Sequence, residues 1–319
     1  MVTGSQQWYI CSEASCQKRL IIPIKAQTMK TILALTDFSD HATNAVRYAV
    51  ALAPHLNARL VLVHAIALEI IEVPGNPFVR LPDVRLENYY TDILQHQAAQ
   101  YQLQNKDLEI QTQCVHGPIG AVLNNLIQEN QADLVVMGTR GASTFLKKLW
   151  GTQSAGLMKE ACCPVLVIPA NSRYRPIQNI AYASDFETRQ ISFLKQLLPF
   201  AEPLNAGLYI FNVKNDDQLD LVADTQLLHE IDRTFPRNNF SYSQLQDQDV
   251  VTGIQQFVHD NNIDLLAVCV HKPDILEKIF HTSVSRELAF QSNIPLLTLP
   301  DKPYHHRKAE TTTSTNQER

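Results

Sequence analysis

A chain of 319 residues has room for two domains of ordinary size, and with 45% hydrophobic and 18% charged residues each can own a core. A formal net charge of −5 with no Lys/Arg stripe excludes the electrostatic footprint of a dedicated nucleic-acid binder, and no apolar run approaches the roughly 20 residues of a membrane span. The N-terminus lacks a charged region leading into a clean apolar core, so a cytoplasmic location is expected.

Residues 1–28 carry Gln, Ser, Cys and a short Ile21-Ile22-Pro23-Ile24 run. They read as a disordered leader or as the product of a misassigned start ahead of Met29, with a regulatory tail as the other reading. From there the pattern alternates. Short runs rich in Val, Ile and Leu predict strands near 31–36, 59–66, 108–115, 133–138 and 164–169, and helices are expected near 40–54, 85–104, 118–130 and 153–161. Ser39 is placed to cap the first helix, and Ala45, Ala49, Leu52 and Ala53 give that helix an apolar stripe.

A second set of strands follows near 177–183, 206–213, 239–246, 264–270 and 295–299. It repeats the first. At an offset of 148, Asp37 falls on Asp185, Phe38 on Phe186, and Leu56-Asn57-Ala58 on Leu204-Asn205-Ala206. Further on, Asp133-Leu134 matches Asp264-Leu265 and Pro164 matches Pro295 at an offset of 131, so the second copy is 17 residues shorter. The long Glu69 to Arg85 connection is the expected place of the loss, because loops absorb deletions at low cost. The fold class is therefore α/β: two tandem, doubly wound, parallel five-stranded sheets of Rossmann-like type, with strand and helix alternating and right-handed crossovers. Residues 29–170 make the first domain and 171–300 the second, ahead of a polar tail, 301–319, expected to be disordered.

The six cysteines (Cys11, Cys16, Cys114, Cys162, Cys163, Cys269) show no paired CxxC metal spacing and read as free thiols, mostly buried, with a redox-sensitive Cys162-Cys163 pair as the alternative. Chemistry is concentrated elsewhere. After the apolar strand Leu134-Val135-Val136-Met137, the chain places Gly138, Gly141, Gly151 and Thr152 in the spacing G-2x-G-9x-G-T, ahead of a helix that opens at Gln153. Glycines there let backbone amides approach an anion, and the helix start adds oriented N–H groups. In sheets of this kind ligands bind beyond the carboxyl ends of the strands, where Asp37 and Gly138 both fall. Asp37 can accept hydrogen bonds or hold a metal ion, and Arg140 can add positive charge. His64 reads as a core histidine, and His116 can face the pocket from a strand end.

Leu35-Thr36-Asp37-Phe38-Ser39, then His64-Ala65, then Met137-Gly138 with the glycine motif, and finally Cys163-Pro164-Val165-Leu166-Val167-Ile168 resemble the universal stress protein family. The likeness covers residues 30–170 and, more loosely, 176–300, so the chain looks like a tandem two-domain member with the fold of the adenine nucleotide alpha hydrolases. The resemblance implies ATP as the ligand, with Mg2+ as a companion that Asp37 could hold. Family members with the complete glycine motif bind ATP, and some hydrolyse it very slowly. By the same resemblance Leu35, Thr36 and Asp37 line the pocket, Ala65 meets the adenine side, Met137 touches the nucleoside, and Gly138, Gly141, Gly151 and Thr152 hold phosphates. Gln153 follows where the family has a small apolar residue, a departure that bears on phosphate geometry.

In the second copy the motif positions become Cys269, Lys272, Thr282 and Ser283, so all three glycines are gone and no nucleotide is expected there. Neither a catalytic acid/base pair nor a GxxxxGK[ST] loop is found, which leaves three readings open. One is an ATP-binding stress or signalling switch, another a slow ATP hydrolase, and the third an interaction or scaffold module without a ligand. The family's dimer contact, through the last strand of the sheet, implies that Val165–Pro169 and Leu296–Pro300 pair within the chain as a pseudo-dimer, with a homodimer as a further option.

Overall fold

The computed structural model describes residues 29–66, 69–73, 76–81, 84–138, 153–184, 189–214, 221–236, 238, 240–247, 250–270 and 294–303. Its N-terminal half runs β1 (Thr31–Leu35), α1 (Asp40–Leu56), β2 (Arg59–Ile66), the pair β3 (Glu69–Val73) and β4 (Asn76–Leu81), α2 (Val84–Gln104), β5 (Ile110–His116), α3 (Ile119–Asn130), β6 (Leu134–Gly138), α4 (Gln153–Glu160) and β7 (Val165–Ile168). The C-terminal half follows with β8 (Asn179–Ala183), α5 (Gln190–Ala201), a 3-10 turn over Glu202–Leu204, β9 (Gly207–Lys214), α6 (Leu221–Thr234), β10 (Phe240–Gln246), α7 (Val250–Asp260), β11 (Leu265–Cys269) and β12 (Leu296–Leu299). Continuous apolar runs such as Thr31-Ile32-Leu33-Ala34 and Leu134-Val135-Val136-Met137 are buried throughout. That is the pattern of parallel strands covered on both faces.

The strand order is β10-β9-β8-β11-β12-β7-β6-β1-β2-β5 in one ten-stranded sheet. The two five-stranded halves expected from the sequence are thus joined in one sheet through the last strand of each. Each half is parallel within itself, but β12 and β7 pair antiparallel, with Leu296 opposite Val167, Leu297 opposite Leu166 and Thr298 opposite Val165. Both strands would otherwise present unpaired backbone at an edge, so pairing them satisfies the two halves together. One core face carries Ala34, Leu52, Leu62 and Leu94 with Tyr182, Phe193 and Leu297; the other carries Leu33, Val63, Leu123 and Val165 with Phe211, Phe257 and Leu296. Each apolar layer therefore runs through both halves.

The repeat extends to single hydrogen bonds. Asn57 and Asn205 end their helices in the left-handed conformation (φ 53° and 51°), which Asn tolerates better than most residues with a Cβ. Asp133 Oδ2 accepts the N–H groups of Lys30 (2.7 Å) and Thr31 (3.1 Å), and Asp264 Oδ2 accepts those of Gln178 (2.8 Å) and Asn179 (2.9 Å). One carboxylate thus ties the start of β1 to the start of β6, and its counterpart the start of β8 to the start of β11. The shortening amounts to 18 residues divided between two places, and one residue is regained ahead of α7, which leaves the net 17. The connection 67–83, which contains the β3–β4 hairpin, corresponds to 215–220, and the 21-residue α2 to the 14-residue α6. The expectation placed the whole loss in the connection and read no hairpin there.

Candidate site at the strand ends of the N-terminal half

In the N-terminal half β1 is flanked by β2 on one side and β6 on the other. The chain winds from β1 through β2 to β5, then returns to β6 and β7, so the strand order reverses between β1 and β6. That is where a doubly wound sheet opens a crevice at its carboxyl edge. Asp37 follows β1 on one side of this point, and Gly138 ends β6 on the other. Ala65 lies near the end of β2, Thr36 and Met137 are buried, and Leu35 packs on the face that holds Met137. Of the sequence-predicted residues, then, Leu35, Thr36, Asp37, Met137 and Gly138 are brought together, with Ala65 one strand away.

Local hydrogen bonds shape the turn after β1. The Thr36 N–H donates to the Val63 carbonyl (2.9 Å) and the Phe38 N–H to Thr36 Oγ1 (3.0 Å). Asp37 Oδ1 accepts from the Ser39 N–H (3.0 Å) and from the Ser39 hydroxyl. Ser39 in turn caps α1, accepting the Ala42 N–H at 3.3 Å, as its position predicts. Gly138 has a different reason from the positive φ often required of a glycine: a Cβ there would stand 2.4 Å from the His41 carbonyl oxygen and 2.8 Å from its carbon. Only hydrogen lets the first turn of α1 close onto the end of β6, bringing its N-terminal dipole to the crevice.

Sequence reasoning missed an aromatic cluster beside the turn. Phe38 adopts φ 63°, and its ring stacks on Tyr90 of α2 (centroids 5.8 Å, interplanar angle 6°) and meets His64 (4.6 Å). His64 and Tyr90 are themselves 4.4 Å apart. His64 Nδ1 lies 2.8 Å from the Thr36 carbonyl, which can only accept, so Nδ1 carries the proton. The expected core histidine is therefore a buried donor that holds the turn. His116 Nε2 stands 3.7 Å from Glu87 of α2, toward the helix and away from the β1/β6 crevice.

The C-terminal half shows what the same frame becomes without the glycine. Asn212 replaces His64 and donates to the Ser184 carbonyl (2.7 Å), the counterpart of Thr36. Buried Cys269 stands where Gly138 stands, and α5 begins at Gln190, two positions later than α1 at the matching offset. Gln190 and Tyr182 occupy the places of Ala42 and Ala34, both are buried, and the Tyr182 hydroxyl donates to Gln190 Oε1 (2.6 Å). Three small positions have become three larger ones, and they fill the space that the first half keeps for the start of its helix.

Arg140, Gly141, Gly151 and Thr152 lie outside the described residues, as do Asp185, Lys272, Thr282 and Ser283. Gln153 opens α4. Burial pushes the Cys162 and Cys163 thiols above their ordinary range, so both are held protonated rather than as reactive thiolates. No group of three or more His, Cys, Asp or Glu side chains among the described residues could by itself hold a metal ion. Among the same residues no helix is long and apolar enough to cross a membrane.

A family model described as the universal stress protein family matches residues 28–169. A universal stress protein of Thermus aquaticus, named for its place in the 3′ region of a QAH/OAS sulfhydrylase, is 35% identical over 147 residues, which cover 44% of this chain and 98% of that one. Another from Methanocaldococcus jannaschii is 27% identical over 145 residues, covering 44% of this chain and 81% of its own. The crystal structure of a universal stress protein from Archaeoglobus fulgidus superposes with a TM-score of 0.62 at 16% identity, covering 85% of this chain and 96% of its own. That last likeness is one of fold, and it extends well beyond the residues the family model matches.

Proposed function

The chain belongs to the universal stress protein family, and from that premise we propose that it binds ATP in its N-terminal half and serves as a stress-response or signalling switch rather than as a fast enzyme. On this reading residues 29–170 are a nucleotide-binding domain and 171–300 a degenerate partner domain. The observation that carries it is the pairing of Asp37 and Gly138 across the point where the strand order reverses, with the capped start of α1 drawn in between. Asp37 would take the ribose hydroxyls, Ala65 and Met137 the base side, and the segment Gly138 to Thr152, with Arg140 and Gln153, the phosphates. Backbone N–H groups and a helix N-terminus suit a polyanion, and a guanidinium adds charge at little geometric cost. A bound nucleotide would supply its own phosphate oxygens to Mg2+, with Asp37 as a further oxygen ligand.

Titration calorimetry with ATP tests this directly. One site per chain is expected, and the double variant Gly141→Val/Gly151→Val should lose it while keeping the melting temperature of the parent. Gly138 is unsuited to that test, because any side chain there strikes the backbone of α1. Two equal sites would overturn the assignment to one half. Absence of binding at millimolar ATP would leave an interaction module as the function.

A further inference from the structure

Phe38 is the one residue of the β1–α1 turn whose backbone enters a region that residues with a Cβ seldom adopt, at φ 63°. Something must hold it there. Its N–H is taken by Thr36 Oγ1, but that bond fixes only the peptide on one side. The ring does the rest. It lies parallel to Tyr90 at 5.8 Å and against His64 at 4.6 Å, within the range in which aromatic pairs attract beyond the area they bury. His64 is pinned in turn by the Thr36 carbonyl and stands 4.6 Å from Phe38 and 4.4 Å from Tyr90, so the three rings form one cluster that ties the turn to β2 and α2.

The reversal at Phe38 is what returns the Ser39 N–H and hydroxyl to Asp37 Oδ1 and puts Ser39 in place to cap α1. A change in the Phe38 ring is therefore transmitted to the Asp37 carboxylate over a single peptide. We propose that Tyr90, through its stack on Phe38, is a positioning residue for Asp37, so that α2 tunes the affinity of the site at the end of β1. The inference rests on the ATP-binding reading for its affinity readout alone. The half in which it operates has the longer helix, 21 residues in α2 against 14 in α6.

The test compares Tyr90→Ala with Tyr90→Phe, which keeps the stacking ring, in the full chain. Two quantities are read: the hydrogen-exchange protection of the Ser39 amide, whose N–H donates to Asp37 Oδ1, measured without nucleotide, and the ATP dissociation constant. Tyr90→Ala should lower the protection of the Ser39 amide and weaken ATP binding by about tenfold, the scale of one lost aromatic pair, whereas Tyr90→Phe leaves both near the parent. In an Asp37→Ala background, Tyr90→Ala should cost no further affinity, since the group it positions is gone. An equal loss in that background would make Tyr90 merely structural and overturn the proposal. So would unchanged protection of the Ser39 amide in a folded Tyr90→Ala variant. If the parent binds no ATP, the functional reading fails by itself, and the protection of the Ser39 amide alone decides whether Tyr90 positions Asp37.

Discussion

At Gly138 a missing methyl group decides how two elements meet. The first turn of α1 lies so close to the end of β6 that a Cβ would stand 2.4 Å from the His41 carbonyl oxygen, and backbone cannot swing aside as a long side chain does. Gly138→Ala should therefore destabilise the fold by about 1–3 kcal/mol, the usual cost of overpacking, by forcing α1 away from the sheet. Urea denaturation measures it; a variant as stable as the parent would show that α1 yields freely. The C-terminal half has already made the corresponding change, with Cys269 at this position and its helix starting only at Gln190. His64 and Asn212 show the opposite kind of substitution. Their shapes differ, but each offers one N–H to the carbonyl that follows the first strand, and so the turn keeps its anchor in both halves.

Elements are joined by similarly economical means, and the aspartates that open β6 and β11 are the clearest instance. Asp133→Ala would leave the N–H groups of Lys30 and Thr31 without the carboxylate that accepts them, at a cost of about 1–3 kcal/mol; Asp133→Asn, which retains an acceptor, should lose less. Chemical denaturation of the two variants checks the order, and equal losses would mean that the charge rather than the acceptor matters. Asp133 and Asp264 were legible as a matched pair because they precede matched apolar runs, and the strands and helices were legible because periodicity and caps are local properties of the chain. The β3–β4 hairpin was not, since strand and connection look alike when the flanking helix is long. Phe38 on Tyr90 and Gly138 against His41 were equally hidden. Both are contacts between residues distant in sequence, and Gly138 carries the same letter whether it serves a phosphate or a helix.

Over the whole molecule, the antiparallel pairing of β7 with β12 turns two half-sheets into one, and α1 helps to seal the junction. Tyr48 on α1 is buried and meets Tyr174 of the inter-half segment edge-on at 5.2 Å. Its hydroxyl is held well above the ordinary 10.0, first by burial, then by the nearby Tyr174 and by Asp264 of the other half. The folded chain thus keeps a proton that the unfolded chain releases near pH 10, so this contribution to stability is complete below that pH and is lost as pH rises beyond it. Tyr242, also raised, mainly by burial and then by Asp232, acts in the same direction. Thermal melts at pH 7 and pH 10.5 should show a smaller alkaline drop for Tyr48→Phe than for the parent, with a residual drop from Tyr242, Tyr174 and the Cys162 and Cys163 thiols, all raised by burial. The substitution removes the titrating proton and leaves the ring packed, which separates charge from volume. Equal drops in the two proteins would mean that the junction opens before Tyr48 ionises, and the alkaline weakness would then lie in the seam of strands itself.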